Sequence, residues 1–103
     1  MMGHRIRRPN RRRAETLDIE HMGLRYKCTV GRFPDGRIVE IFLSNNKPSS
    51  QSDVNARDSA VAASLAFQFG CPLDVLRRAL LRDRHGRAST PLGVALDLVA
   101  DRE

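Results

Sequence analysis

The residues best suited to chemistry in this chain are arginines near its N-terminus, and the chemistry that suits them is phosphate binding. The first thirteen residues hold no acidic side chain and six arginines: Arg5, Arg7, Arg8, Arg11, Arg12 and Arg13. A guanidinium group offers paired N–H donors to phosphate oxygens, and a cluster of such groups attracts polyanions. We therefore predict a basic arm over residues 1–13 that contacts nucleic acid or nucleotide phosphate. A disordered, solubilising tail explains the same composition equally well.

The rest of the chain is electrically neutral. Eighteen Lys and Arg residues against twelve Asp and Glu residues give a formal charge of +6, and removing the six arm arginines leaves twelve against twelve. The net charge therefore belongs to the arm. Because a chain of 103 residues with 41% hydrophobic content has room for one small core, we expect residues 14–103 to form a single domain.

Two further places have the residue types for phosphate binding. Lys47 lies in a loop rich in Asn and Ser that precedes a predicted helix, and the free N–H groups of a helix N-terminus hold phosphate well. Helix capping explains the same loop and is the favoured interpretation. The second place is a basic strip formed by Arg77, Arg78, Arg82, Arg84 and Arg87. Because Asp74 and Asp83 partly neutralise this strip, we favour a solvated helix face there.

Catalytic and metal-binding patterns are missing from the sequence. The two cysteines, Cys28 and Cys71, fall in different predicted elements, so we expect two reduced, structural thiols. The three histidines are scattered over the arm, a strand and a loop, without the spacing of a nucleophile and its base. We predict no catalytic residue, no metal and no cofactor, and we expect that the chain is not an enzyme by itself.

Hydrophobic periodicity predicts three strands followed by three helices. Alternation of apolar and polar residues indicates strands over Thr16–Met22, Leu24–Val30 and Arg37–Leu43. Gly23 separates the first two strands, and the sequence Phe33-Pro34-Asp35-Gly36 is typical of a type I turn between the second and third. These strands form an antiparallel meander. Strands followed by helices without alternation indicate an α+β protein, with a three-stranded antiparallel meander and three helices packed on one sheet face.

The helices are predicted from their spacing and their caps. The first is capped near Ser52 or Asp53 and carries two apolar stripes, one of Val54, Val61 and Leu65, the other of Ala56, Ala60, Ala63 and Phe67. The alanines are expected to pack closely against the sheet, and Leu65 is expected to lie in the core. Pro72 is predicted as the first residue of the second helix. Thr90 is predicted to cap a third helix that begins at Pro91 and buries Leu92, Leu96 and Val99.

The order of these pieces resembles the TSCPD domain. The resemblance covers about Gly23 to Val99, and its most specific part is the succession of hairpin, polar loop, alanine-rich helix and Gly70-Cys71-Pro72-Leu73-Asp74. The chain departs from the family at its naming motif, Thr-Ser-Cys-Pro-Asp, where it reads Ala88-Ser89-Thr90-Pro91-Leu92. The motif cysteine is therefore absent, and the nearby loop offers only His85, which is too few ligands for a zinc site.

The resemblance implies a role beside a larger enzyme. TSCPD domains occur at the C-terminus of adenosylcobalamin-dependent ribonucleotide reductases and as short stand-alone bacterial proteins. The resemblance thus implies a non-catalytic accessory module whose partner is a ribonucleotide reductase or a nucleotide. The alternative is a small protein that binds nucleic acid through the arginine arm. Because no signal sequence or membrane span is present, we expect a cytoplasmic protein without a membrane partner. A second sheet face containing Ile38 and Phe42 leaves room for a homodimer.

Overall fold

A computed structural model describes residues 13–103, so that the predicted arm up to Arg12 lies outside the described residues. Three strands precede three helices along the chain. The elements are β1 (Arg13–His21), β2 (Leu24–Arg32), β3 (Ile38–Asn45), α1 (Gln51–Gln68), α2 (Leu73–Ala79) and α3 (Pro91–Asp101). The strands form one antiparallel sheet in the order β1-β2-β3, which confirms the predicted α+β class and the meander.

Two tight turns join the strands. Met22 and Gly23 connect β1 to β2, and both have positive φ angles, 53° and 79°. This is the mirror-image turn that matches the right-handed twist of a hairpin. Met22 therefore belongs to the turn, although the sequence analysis placed it in the first strand. Between β2 and β3 the predicted turn is confirmed, because the Gly36 N–H donates to the Phe33 carbonyl at 2.9 Å.

An irregularity in the sheet decides which face Ile38 joins. The pairing of β2 with β3 shifts between Gly31 and Arg32, so that Gly31 pairs with Glu40 whereas Arg32 pairs with Ile38. Such a bulge opposes two residues on one strand to one on the other and breaks the alternation of faces. Ile38 consequently packs in the core, and the prediction that it shares the second sheet face with Phe42 is wrong.

The core lies between the sheet and helices α1 and α3. α1 contacts β3, α3 contacts β1, and α2 packs mainly on α3. The buried cluster consists of Leu17, Ile19, Tyr26, Cys28, Val30, Ile38, Ile41 and Leu43 from the sheet, and Ala56, Ala60, Ala63, Phe67, Leu92, Ala95, Leu96 and Val99 from the helices. The buried stripe predicted for the third helix is therefore confirmed. Burial of these apolar side chains is the main stabilising contribution.

Only one of the two apolar stripes predicted for the first helix is buried. The alanine stripe with Phe67 faces the sheet, but Val54, Val61 and Leu65 are 43%, 55% and 42% exposed. The prediction that Leu65 joins the core is wrong. Between the two stripes, the surface of α1 carries Ser64 and Gln68, which bind the backbone of β3. Because this polar surface faces the edge of the sheet, the stripe with Leu65 lies beyond that edge and is not covered by the sheet.

Polar side chains of α1 bind the open edge of β3. The Ser64 hydroxyl accepts from the Ile41 N–H at 2.9 Å and donates to the Ile41 carbonyl at 3.0 Å. The Gln68 amide donates to the Val39 carbonyl at 3.1 Å. β3 is an edge strand, whose outward backbone groups otherwise template pairing with another chain. α1 therefore both covers the core and blocks that edge.

The helix caps differ from the predicted ones at two places. Ser50 caps α1, and its hydroxyl accepts from the Asp53 N–H, so the helix starts earlier than predicted. Asp53 is unavailable for that cap because its carboxylate accepts from the N–H groups of Asn45 and Ser49. Pro72 is the N-cap of α2 and not its first residue. Thr90 caps α3 as predicted, accepting from the Gly93 N–H at 3.1 Å.

Candidate functional site

Most of the predicted phosphate-binding arm lies outside the described residues. This applies to Arg5, Arg7, Arg8, Arg11 and Arg12, whose contact with phosphate stays a prediction. β1 begins at Arg13, the residue at which the predicted arm ends, and the backbone of Arg13 pairs with that of Arg32 in β2. The arm is thus joined directly to an edge strand of the sheet.

The loop around Lys47 leads into the N-terminus of α1, whose first turn contains the carboxylate of Asp53. Lys47 is exposed, and its N–H donates to the Asn45 side chain at 2.9 Å. The Asp53 side chain is buried and accepts from the N–H groups of Asn45 at 2.9 Å and Ser49 at 3.2 Å. These N–H groups lower the pKa of the Asp53 carboxyl, most strongly that of Asn45. An ionised carboxylate therefore already accepts from two N–H groups of the loop that carries Lys47.

Arg77 is held by two carboxylates. Its guanidinium donates to Asp74 at 2.8 Å and to Asp97 of α3 at 3.2 Å. The hydrogen bond to Asp74 is the main cause of a raised pKa at Arg77. Arg78, its neighbour, is exposed and makes no ion pair within residues 13–103. The two adjacent arginines predicted to bind phosphate thus differ, since one fastens α2 to α3 and the other is open to solvent.

Asp97 is the centre of this charged cluster. Arg82 donates through its two terminal nitrogens to both oxygens of Asp97, at 2.6 and 2.7 Å, in a bidentate geometry that suits a carboxylate. The hydrogen bond from Arg82, with a further one from Arg77, lowers the pKa of Asp97 against the opposing effect of partial burial. Arg82 also donates to the carbonyls of Gly86 and Arg77. One acidic residue therefore connects α3 to α2 and to the loop that follows α2.

That loop is a small hairpin whose base packs against α3. Arg82 and Ala88 form an antiparallel bridge. The Asp83 N–H donates to the Arg87 carbonyl at 2.9 Å. A β-carbon added at Gly93 would lie only 2.8 Å from that of Ala88, so the absence of a side chain there permits the close approach. We call residues 82–88 the basic hairpin, since it carries Arg82, Arg84 and Arg87.

Replacing Asp97 with Asn should loosen the basic hairpin. The substitution removes the negative charge that two guanidinium groups share, so the hairpin loses its main attachment to α3. We expect faster hydrogen exchange at the N–H groups of Asp83 and Ser89, which bond to the carbonyls of Arg87 and Leu81. Asp101→Asn, an exposed change on the same helix, is the control. Equal exchange rates in both variants would contradict the attachment.

An apolar surface lies on the outer side of α1. It consists of Val54, Val61, Leu65 and, on β3, Phe42, all of them at least two-fifths exposed. The Ser64 hydroxyl binds the backbone of Ile41, so α1 lies beside the strand that carries Phe42. We call these four residues the α1 surface. Exposed apolar groups that cluster in this way mark sites of protein interaction.

The two cysteines lie in different segments of the chain and differ in exposure. Cys28 is completely buried in β2, and burial raises the pKa of its thiol to about 12. Cys71 is half-buried and precedes α2, and both thiols are free. A reactive cysteine requires a stabilised thiolate, which the burial of Cys28 opposes. Cys28 therefore lacks the stabilised thiolate that redox chemistry requires.

Residues 13–103 contain no group of three His, Cys, Asp or Glu side chains placed to hold a metal ion. Over the same part of the chain, no helix has the length and apolar character needed to cross a membrane.

A cleft of about 800 Å³ lies at one end of the sheet. There Asp18 of β1 lies opposite Lys27 of β2, and Glu20 lies opposite Arg25. Acidic and basic side chains are therefore neighbours in the cleft. This surface attracts neither sign of ligand strongly.

Comparison with known proteins relates the chain to one class of enzyme. It is 36% identical over 66 residues, 64% of the chain, to the vitamin B12-dependent ribonucleotide reductase of Agrobacterium fabrum. It is 32% identical over 74 residues, 72% of the chain, to the enzyme of the same name from Bradyrhizobium diazoefficiens. These regions make up only 5% and 6% of the two reductases. No family model matches the chain, and no solved structure does.

These similarities support the predicted relation to ribonucleotide reductases. Because the chain spans about one-twentieth of the length of these relatives, the similarity concerns a small part of each enzyme. Assignment to the TSCPD domain stays a prediction, since no family model matches.

Proposed function

We propose that the chain is a non-catalytic accessory module that docks onto a ribonucleotide reductase. The observation that carries the proposal is its similarity to a short part of two B12-dependent reductases. A segment that folds around its own core and has an exposed apolar surface has the properties of a docking module. In this proposal the chain supplies contacts, and the reductase supplies the chemistry.

The state of the two thiols supports a non-catalytic role. Radical reduction of a ribonucleotide requires a reactive cysteine and a pair of cysteines that provides electrons. Cys28 is shielded from solvent and its raised pKa keeps it a thiol, whereas Cys71 lies in the segment before α2. The two are not joined by a disulfide, and the chain has no third cysteine.

The α1 surface is the proposed contact with the reductase. α1 is fixed on β3 by Ser64 and Gln68, so its outer side is held rigidly. Rigid apolar side chains lose little conformational entropy on binding. They also form the buried centre that most protein interfaces require. Most residues that line the cleft at the end of the sheet, by contrast, are charged or polar.

Docking can be tested with the purified Agrobacterium fabrum reductase. We expect the full chain to bind it at micromolar concentration in a titration followed by fluorescence anisotropy. Val61→Asp combined with Leu65→Asp should abolish binding, because burying a carboxylate in an apolar interface is costly. Val75→Asp is the matched control, since Val75 is similarly exposed but lies on α2. Equal binding by both variants would exclude the α1 surface, and no binding by the unmodified chain would refute docking.

Nucleotide binding is the second part of the proposal, inferred from the basic residues. Calorimetric titration of the full chain with nucleoside triphosphates should give saturable binding at micromolar concentration. A titration without heat would refute this part and leave the docking experiment unaffected.

A further inference from the structure

In the structure, some of the charged side chains around α2 and the basic hairpin form ion pairs and others do not. Residues 74–97 contain five arginines and three aspartates. Asp97 is occupied by Arg77 and Arg82, and Asp74 by Arg77. From the sequence, this whole strip is predicted to be partly neutralised by its aspartates. The structure shows instead that the aspartates serve only some of the arginines.

The third aspartate neutralises no arginine side chain. One oxygen of Asp83 accepts from the N–H groups of His85 at 2.8 Å and Arg87 at 3.0 Å. The carboxylate of Asp83 therefore bridges two N–H groups within the loop of the basic hairpin. Gly86, with a φ of 80°, completes the turn. The use of Asp83 in this way leaves the side chain of Arg87 without a carboxylate partner.

Three arginines remain exposed and without an ion pair among residues 13–103: Arg78, Arg84 and Arg87. They lie close together along the fold. The guanidinium of Arg82 donates to the carbonyl of Arg77 at 3.1 Å, which joins the start of the basic hairpin to the last turn of α2, where Arg78 lies. Arg84 and Arg87 are in the hairpin loop itself. His85 is also exposed there, and its ring accepts from Arg84 at 3.4 Å.

The platform that carries these arginines is rigid. The two hydrogen bonds of Arg82 to Asp97 and the close contact of Ala88 with Gly93 hold the hairpin on α3. A pre-organised loop loses less conformational entropy on binding than a flexible one. A clustered, unpaired set of guanidinium groups on such a loop suits an extended polyanion.

We propose that the basic hairpin, with Arg78, binds the phosphate backbone of a nucleic acid. Each of the three free arginines contacts phosphate oxygens, and Asp97 acts as a positioning residue through Arg82. Charge complementarity carries the proposal, since the three arginines meet no carboxylate in the described part of the chain. The arm adds further positive charge, but the proposed contact is independent of it. Binding through phosphates is insensitive to nucleotide sequence.

The test compares two variants of the full chain that lose equal charge. The first carries Arg78→Ala, Arg84→Ala and Arg87→Ala. The control carries Arg25→Ala, Lys27→Ala and Arg57→Ala, three exposed basic residues elsewhere on the surface. Affinity for a short DNA duplex is measured by fluorescence anisotropy at several salt concentrations. Because both variants lose three positive charges, the change in overall attraction is the same in each.

We expect the hairpin variant to bind more weakly than the control at every salt concentration. Each phosphate contact contributes about −0.9 to the slope of log affinity against log salt, so the slope of the hairpin variant should be shallower by about 2.7. Thermal melting confirms that both variants are folded, and if the triple variant is unfolded, Arg84→Gln and Arg87→Gln are measured singly. Equal slopes in the hairpin and control variants would overturn the proposal, as would absence of binding by the unmodified chain.

Discussion

Replacing Leu96 with alanine should lower the free energy of unfolding by about 2 to 5 kcal/mol. Leu96 is completely buried at the centre of α3, within the cluster between helices and sheet. The substitution removes buried apolar surface and leaves a cavity that close packing prevents from collapsing fully. A domain of this size is stable by only about 5 to 15 kcal/mol. Urea denaturation followed by circular dichroism measures the change.

Leu65→Ala is the matched control for that experiment. The sequence analysis placed Leu65 in the core, but the structure leaves 42% of it exposed on the outer side of α1. We therefore expect a loss of at most about 1 kcal/mol, as for other surface substitutions. A loss as large as that of Leu96→Ala would mean that α1 is rotated relative to the structure described above.

Replacing Asp53 with alanine should lower the melting temperature by several degrees at neutral pH. The buried carboxylate accepts from the N–H groups of Asn45 and Ser49, and its removal leaves both donors without this partner. The cost is expected mainly at the half-buried Asn45, because a donor shielded from water and left without a partner is costly. Asp58→Ala, an exposed change on the same helix, is the control and should have a much smaller effect. Differential scanning calorimetry measures both.

The stabilising effect of the Asp53 carboxylate on the fold should also decrease as the pH falls. The Asn45 N–H is the largest cause that holds the pKa of Asp53 below its ordinary value of 3.8, followed by the Ser49 N–H and Arg57. A group whose pKa is lower in the folded state stabilises the fold above its unfolded pKa, and this contribution is lost as the pH falls through the folded pKa. Stability of the unmodified chain should therefore fall below about pH 4 more steeply than that of Asp53→Ala. Parallel pH profiles would contradict an ionised, hydrogen-bonded Asp53.

Local patterns were sufficient for most of the fold. Alternation placed Tyr26, Cys28 and Val30 on the buried face of β2, because side chains of a strand point to opposite faces in turn. Thr90 and Pro91 marked the start of α3, since capping depends on residues within one helical turn. These features depend on neighbours in the sequence, and the structure confirms them.

The two wrong assignments of apolar residues have a common cause. Leu65 and Ile38 both have the residue type of a core position, but their burial depends on contacts made by other elements. Ser64 and Gln68 turn α1 toward the backbone of β3 and thereby expose Leu65. The bulge at Gly31 and Arg32 moves Ile38 into the core. The polar residues Ser64 and Gln68 beside the alanine stripe were the available signal, and their partners were backbone groups that no sequence pattern identifies.

The candidate site, like the fold, combines features that follow from the sequence with features that depend on the tertiary structure. The sequence by itself determined the order of the elements, the position of the basic residues and the neutral charge of residues 14–103, because these follow from composition and from spacing within single elements. Only the tertiary structure decided which arginines are available to a ligand. Asp97 neutralises Arg77 and Arg82 across 20 and 15 positions of the chain, and a charge is cancelled by the carboxylate that is nearest in space, whatever its distance in sequence.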